Sequence, residues 1–541
     1  MDDWRKLREL TPEKLAAARL ALEDVRQGMD VVRALRRHPL SNGGYPPKSA
    51  LVAIYHALVK SGEISADPTL LARIRMKPVR SLSGVTTVTI LTRPHPCPGE
   101  CIFCPDDVRM PKSYLPDEPG AARAFQHGFD PAAQIITRLE SYHAVGHPTD
   151  KVELLILGGS WTAYPRSYQE DYIHHCFDAL NGCESPTLAA AQQINETAPS
   201  RNVGLVIETR PDHISSTTLA WLRHLGVTKV QMGAQSLSNE LLVLNRRGHT
   251  VADTLNATAL LRAAGFKIVL HWMPNLLGAT PDSDRADFAR LWQDYCPDEI
   301  KIYPTQLLEG TELFAAWKRG EYTPYDTDTL VGLIADLKPT IPRYCRVNRI
   351  IRDIPSHHVI AGNRRTSLRQ DVLAEVARRG ERCQCVRCRE VRGQAVEPSD
   401  LRLVDEIYSA ACAREHFLQF VTPNDQLAGY LRLSLPECSE TCPRELRSRL
   451  AEVPAQMPDL TGAALIREVH VYGQALAVGT ETPGAAQHMG LGTALLAQAR
   501  RIAAEEGFRK LAVIAAVGTR AYYAARGFIR GESYLVMDTD D

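Results

Sequence analysis

The 541-residue chain has no long apolar run. No stretch approaches the ~18 apolar residues that a membrane span needs. The opening MDDWRKLREL carries charge throughout and lacks the apolar core of a secretory leader. The expectation is a cytoplasmic protein with no membrane partner, whose thiols stay reduced. A net charge is missing too: 63 Lys+Arg stand against 63 Asp+Glu. Taken alone, that balance argues against a uniformly basic nucleic-acid binder. Lysine is scarce, 13 against 50 arginines. A GC-rich coding bias explains that at least as well as the planar, bidentate phosphate contacts arginine makes. Internal repeats and low-complexity tracts are absent. What is present is ordinary for folded protein, 44% hydrophobic and 23% charged, and the length allows three or four domains at ~150 residues each.

The 13 cysteines are unevenly placed. In a reducing compartment they read as metal ligands or buried thiols, not disulfides. Cys97, Cys101 and Cys104 form one knot; Cys383, Cys385 and Cys388 form another. Residues 1–80 have helical periodicity, with Thr11-Pro12 as a start signal. From 85 onward, apolar runs at 85–91, 152–157, 203–208, 227–233, 266–273 and 299–304 alternate with helical stretches. Six βα-type units in a row imply a parallel sheet, with an active site at the C-terminal strand ends. Residues 343–394 break that rhythm. A second α/β pattern begins near 400: a helix-like LVDEIYSAACAREHF, two strands joined at Asn424-Asp425, the strand IREVHVYG, a Gly-containing turn, and the helix GTALLAQARRIAAEEG.

Cys97-Pro-Gly-Glu-Cys101-Ile-Phe-Cys104 has the spacing C-x3-C-x2-C. Three thiolates can hold three irons of a [4Fe–4S] cluster and leave the fourth open. A structural zinc site would want four ligands. With Phe103 before the last cysteine, the motif resembles the radical SAM superfamily. That resemblance implies S-adenosylmethionine contacts at the strand ends. They map onto Gly158, Gly159 and Ser160; Glu208 with Thr209 and Arg210; Gln235 and Ser236; and His271 with Met273 and Pro274.

Gln487-His488-Met489-Gly490-Leu491-Gly492 resembles the acyl-CoA loop of GNAT acetyltransferases. Bare amides at a helix N-terminus can cradle a pyrophosphate there. In that family the preceding strand pairs with the pantetheine arm, and a late tyrosine, Tyr522 or Tyr523 here, protonates the departing thiolate. Glu468 and His470 share one face of the strand; either is a candidate base or simply an exposed polar position.

The two modules together resemble the catalytic subunit of Elongator, of stand-alone bacterial or archaeal type. The likeness extends through 77–85, Ile207-Glu-Thr-Arg-Pro-Asp212, Asn245-Arg-Arg-Gly-His-Thr250 and Arg352-Asp-Ile-Pro355. It departs in a shorter first cysteine gap than eukaryotic members have and in an added loop at 439–463. No partner subunit can be inferred; a homodimer is open. By that resemblance acetyl-CoA would contact Lys151, Glu468, Val469, His470, Val471, Gln487, Gly490, Leu491, Gly492, Thr493, Ala494 and Tyr523. The expected fold is α/β: a helical, basic, tRNA-binding region (1–80), a partial (β/α)6 radical SAM barrel (81–345), an Arg-rich zinc-binding linker (346–398) and a GNAT α/β domain (399–541). The second knot, C-x-C-x2-C, suits tetrahedral zinc. Cys438 is the expected fourth ligand and Cys442 the second choice.

The activity implied is formation of 5-carboxymethyluridine at the wobble position of a tRNA anticodon stem-loop. A 5′-deoxyadenosyl radical would take hydrogen from the acetyl methyl, the carbon radical would add to C5 of uridine, and thioester hydrolysis would follow. A protein lysine acetyltransferase with a structural cluster is the alternative, and a tRNA-binding scaffold a further one. The zero net charge hides an uneven layout. Residues 31–80 hold nine Lys/Arg against two acids, and 343–394 hold thirteen Arg against five acids. Both read as phosphate-binding faces.

Overall fold

The computed structural model describes residues 10–78, 81, 83–392, 394, 396–437, 442–472 and 490–540. Four helices, Pro12–Arg26, Val31–Arg37, Lys48–Lys60 and Pro68–Ile74, pack around their own small core of Ala18, Leu22, Leu51 and Ile74. Thr11 caps the first, accepting from the Lys14 amide.

The central sheet is all parallel, in the order β1 (Thr86–Leu91), β2 (Lys151–Leu157), β3 (Arg201–Thr209), β4 (Lys229–Gln235), β5 (Lys267–Trp272), β6 (Glu299–Ile302), β7 (Arg346–Ile350). Helices Pro131–His143, Arg166–Asn181, Ser216–His224 and Val251–Ala263 provide crossovers where the sequence periodicity puts them. The open half-barrel has one strand more than six βα units predict. β7 lies inside the Arg-rich segment expected to be linker. Its core-facing residues are only Val347 and Ile350, with arginines at 346 and 349, so it carries almost no strand signal.

The C-terminal sheet has the order β13 (Ile529–Arg530), β14 (Leu535–Asp538), β12 (Lys510–Val513), β11 (Ala463–Val471), β10 (Leu427–Pro436), β9 (Ala413–Val421), β8 (Arg402–Ala410). Residues 403–417, expected to be helical, instead form the β8–β9 hairpin. Its two-residue turn is Ala411-Cys412, at φ 33° and 66°, the pair of positive angles a tight hairpin turn demands. The alanines that suggest a helix sit at that turn. The 439–463 insertion contains the helix Arg444–Gln456, which packs on the barrel helices Ser216–His224 and Val251–Ala263. Against the expectation of reduced thiols, Cys412 and Cys442 are joined in a disulfide. That removes Cys442 as a zinc ligand. No helix among the described residues is long and apolar enough to cross a membrane.

One apolar core runs through both sheets, and a layer of buried charge crosses their junction. Arg467 donates to Asp298 at 2.7 Å and to Glu415 at 2.6 Å, and all three are fully buried. Arg432 reaches Glu468 at 3.0 Å and the Tyr344 carbonyl at 2.7 Å. The two arginines hold Asp298 far below the usual carboxylate range despite its burial. Removing one member of such a lattice leaves an uncompensated buried charge, at a cost of about 3–5 kcal/mol, so the two sheets behave as one body.

Candidate active site

A single open cavity of about 1000 Å³ runs through the half-barrel. At one end it is lined by Cys97, Cys101 and Cys104, and at the other by Glu468, Val469, His470 and Tyr523. The strands are parallel, so their C-terminal ends face the cysteines and their N-terminal ends face the second sheet.

At the cysteine end, β1 exits into the Pro- and Gly-rich loop that bears the triad. Burial pushes the Cys104 thiol up to about 11, with Cys101 adding to the shift and Arg352 opposing it. Arg352 is anchored on the Ser113 hydroxyl at 2.5 Å and on Glu118 at 3.2 Å. Among the described residues, the sulfurs of Cys383, Cys385 and Cys388 lie within 4.8 Å of one another, whereas the Cys97 triad makes no such group. Sulfurs on one tetrahedral zinc are about 3.7 Å apart, from Zn–S bonds of about 2.3 Å. The second triad is therefore gathered as one ion requires, and the first is not.

Gly158 and Gly159 end β2 at φ 130° and 93°. A Cβ on Gly158 would sit 1.9 Å from the Thr92 hydroxyl, so the strand can turn here only without side chains. Ser160, Glu208, Gln235 and His271 line the same cavity as the triad; Gly159 joins them and Gly158 lies behind. Glu208 accepts from Tyr114 at 3.1 Å and from Lys301 at 3.4 Å. His271 is 3.0 Å from Gln231, and burial, then Lys301, hold its ring neutral. Among the buried polar atoms without a partner at this end of the cavity are Ser160 Oγ, Gln235 Oε1, Arg210 Nη1 and Thr305 Oγ1. Unspent donors and an acceptor beside a Gly-Gly cradle fit a ligand with amino-acid and ribose groups, and S-adenosylmethionine has both.

At the far end, β11 pairs with β12 only from Ala463 to Ile466. A register shift opposite Arg432 and Leu433 leaves Arg467 as the extra residue. Past that bulge the strands part, and residues 467–471 present an edge toward the cavity. Gly490, at φ 70°, caps the helix Leu491–Glu505, whose first amides at Leu491, Gly492 and Thr493 lack intrahelical partners. Tyr522 packs so close to Gly492 that a Cβ there would lie 2.4 Å from its hydroxyl. Tyr522 is partly exposed and stacked under Arg526; Tyr523 is buried and lines the cavity. Of the two tyrosines, Tyr523 is the one that faces the cavity.

The geometry separates the two candidate bases. Glu468 is bonded to Lys267, to Tyr430 at 2.7 Å and to Arg432 at 3.0 Å. Lys267 foremost, then Arg432, override its burial and hold it near 2. His470 stacks on Tyr430 and lies tilted against Tyr472. Its Nε2 has no partner, and burial holds its pKa near 4. Lys151 starts β2 at the opposite end from Gly159. It pairs with Arg201, and β3 there packs against Gly518 of the second sheet's domain, so Lys151 lies at the end nearer the second sheet. Gln487 and Cys438 lie outside the described residues.

Sequence reasoning missed Lys229, Lys267 and Lys301, which line the cavity wall and pair with Glu153, Glu299 and Glu208 respectively. The available signal was a lysine at or near the start of each of three strands whose other residues are mostly apolar. The second triad sits beside the β7 edge. Fully buried Lys338 donates to Cys385 at 3.9 Å, and Glu390 bridges to the start of β10.

Comparison with known proteins agrees with this geometry. Residues 95–291 match the Radical SAM superfamily and residues 297–378 the Radical_SAM C-terminal domain. The chain is 41% identical to a "tRNA uridine(34) acetyltransferase" of Dehalococcoides mccartyi, over 85% of this chain and 99% of that protein. It is 35% identical to human "Elongator complex protein 3", over 86% of each. The solved Methanocaldococcus infernus Elp3, lacking residues 1–46, superposes with a TM-score of 0.71 at 36% identity, covering 84% of this chain and 99% of that one. The chain belongs to the tRNA uridine(34) acetyltransferase and Elongator complex protein 3 family, and it is a radical SAM enzyme of the acyltransferase class.

Proposed function

We propose that the protein converts the wobble uridine of tRNA to 5-carboxymethyluridine, taking the two carbons from acetyl-CoA. The observation that carries this reading is a cavity shared by the cysteine triad and the splayed end of β11. A [4Fe–4S] cluster with S-adenosylmethionine supplies a 5′-deoxyadenosyl radical when both are bound. Cys97, Cys101 and Cys104 would hold the cluster, leaving one iron for the amino-acid end of S-adenosylmethionine. Ser160, Gln235 and Arg210 would orient that molecule through their unspent polar atoms. At the acyl end the β11 edge and the amides after Gly490 would bind the pantetheine and pyrophosphate. Neutral His470 would take the proton from the hydrolytic water, and Tyr523 would return one to the CoA thiolate. Lys267 and Arg432 fix Glu468, and with it the face of β11 that His470 shares. An anticodon base must leave its stack to enter the cavity, which a single-stranded loop permits cheaply. The Cys383 triad would hold a structural zinc with a fourth ligand.

The test is anaerobic incubation with tRNA, acetyl-CoA, S-adenosylmethionine and dithionite, followed by mass spectrometry of the nucleosides. Carboxymethyluridine that requires every component is expected. Peptide acetylation without dependence on S-adenosylmethionine would replace this reading with a lysine acetyltransferase.

A further inference from the structure

The strings Glu208-Thr-Arg-Pro-Asp212 and Asn245-Arg-Arg-Gly-His-Thr250 have no part in the chemistry above beyond Glu208 and Arg210. Both lead to the cysteine loop. The Ile102 amide donates to the Asn245 carbonyl at 3.3 Å, which seats the loop on the second string. Arg247 Nη1 then donates to Cys101 Sγ at 3.5 Å. The rest of its guanidinium is committed: Nε and Nη2 both reach the Gly233 carbonyl, at 3.3 and 2.7 Å. Arg210 approaches from the other string. Its Nε and Nη2 grip Asp212 at 3.0 and 2.9 Å, and its Nη1 points at the loop with no partner of its own.

Both guanidiniums are more than nine-tenths buried, and glycines make room for them. A Cβ on Gly99 would lie 2.5 Å from Arg210 Nη1, and one on Gly233 would lie 2.7 Å from Arg247 Nη2. Two buried, fixed positive charges beside one metal-binding loop go beyond what folding the loop requires.

We propose that Arg247 and Arg210 form a guanidinium clamp on the Cys97–Cys104 loop that sets the reduction potential of the cluster. The inference rests on the radical SAM assignment and concerns these side chains alone. Adding one electron makes the cluster more negative, so hydrogen bonds and positive charge at its sulfurs favour the reduced form and raise the potential. Burial strengthens the effect, because little water screens it. Arg247, bonded to a ligand sulfur, carries the larger share. Arg210, with its carboxylate partner, carries the smaller.

The experiment is an EPR-monitored potentiometric titration of the anaerobically reconstituted full chain without S-adenosylmethionine, with iron and sulfide quantified. Arg247→Gln keeps a donor for Gly233 but loses the charge. It is expected to load iron as the wild type does, with the ratio of reduced to oxidised cluster at a fixed potential falling about tenfold, which is about 59 mV for a one-electron couple. Arg247→Lys is expected to recover most of that ratio, and Arg210→Gln to move it in the same direction by less. A loaded Arg247→Gln that titrates with the wild type overturns the proposal. So does failure of the Gln variants to take up a cluster, because the pair would then hold the cluster and not tune it. An Arg210→Gln that binds S-adenosylmethionine less tightly at an unchanged potential overturns the clamp, leaving Arg210 as a ligand-binding residue. A wild-type chain that takes up no [4Fe–4S] cluster would instead overturn the radical SAM chemistry itself, a distinct result.

Discussion

The two cysteine triads differ by two residues in sequence spacing and by much more in their surroundings. Cys97, Cys101 and Cys104 are spread around the end of a cavity, between two arginines and beside polar atoms that lack partners. Cys383, Cys385 and Cys388 are drawn into a 4.8 Å group next to a fully buried lysine, in a segment that ties the β7 edge to β10. Closed, charge-balanced sets hold structural ions; open ones do chemistry. On the proposed function, the unmet hydrogen bonds would mark the reactive site and the gathered thiols the staple.

That contrast breaks most visibly with Cys101→Ala. Carboxymethyluridine and reductive cleavage of S-adenosylmethionine should both vanish, read by nucleoside mass spectrometry and 5′-deoxyadenosine release. The melting temperature and zinc content should stay near wild type. Product surviving this change would sink the radical route. Cys385→Ser should do the opposite. Zinc falls to background by elemental analysis and the fold loses several kcal/mol, because metal binding at a structural site is folding free energy, while iron uptake persists. Iron lost together with zinc would show that the two triads are not independent. A smaller effect is expected from Lys338→Met. Cys385, Cys383 and Cys388, as thiolates, hold its ammonium charged against burial. Without it the triad carries uncompensated negative charge, and zinc affinity should drop about 10–100-fold, measured by competition with a chromophoric chelator.

Both triads stand out in the sequence by their spacing alone, but the charges and hydrogen-bonding groups around them do not. β3 to β6 announced themselves because burial on both faces favours mostly apolar runs, and β1 and β2 by alternation of buried and half-buried residues. β7 did not, because at the sheet edge it needs only Val347 and Ile350 inside. The β8–β9 hairpin was hidden by alanines, whose helix propensity is overridden by a turn that tertiary packing fixes. Glu468 and His470 look alike as alternating polar residues on β11. Only the fold shows that Lys267, far away in sequence, neutralises one of them and leaves the other free. The Cys412–Cys442 pairing joins a hairpin tip to an inserted helix, a contact no local pattern encodes.

Charge offers the subtlest form of the same comparison. The Arg-rich linker around the second triad reads as a phosphate-binding face, yet most of its arginines are already engaged. Arg343 and Arg389 bond Asp425, Arg378 and Arg379 bond Glu375, and Arg369 and Arg387 cap carbonyls of β7. In the N-terminal helices Arg73 and Arg75 are spent in the same way on carbonyls. Arg36 and Arg37 are exposed at the end of Val31–Arg37, and Arg37 makes one long contact to Asp24 at 3.2 Å. Each phosphate contact contributes roughly 0.7–0.9 to the slope of log affinity against log salt. Reversing Arg36 and Arg37 to Glu should therefore weaken tRNA binding several-fold and flatten that slope by one to two. Reversing Arg378 and Arg379 should lower stability more than affinity, since Glu375 would lose both its arginines and Asp336 would keep only Arg285. Filter binding at several salt concentrations decides between them: an unchanged slope in the Arg36 and Arg37 variant would move the RNA-binding surface off the N-terminal helices.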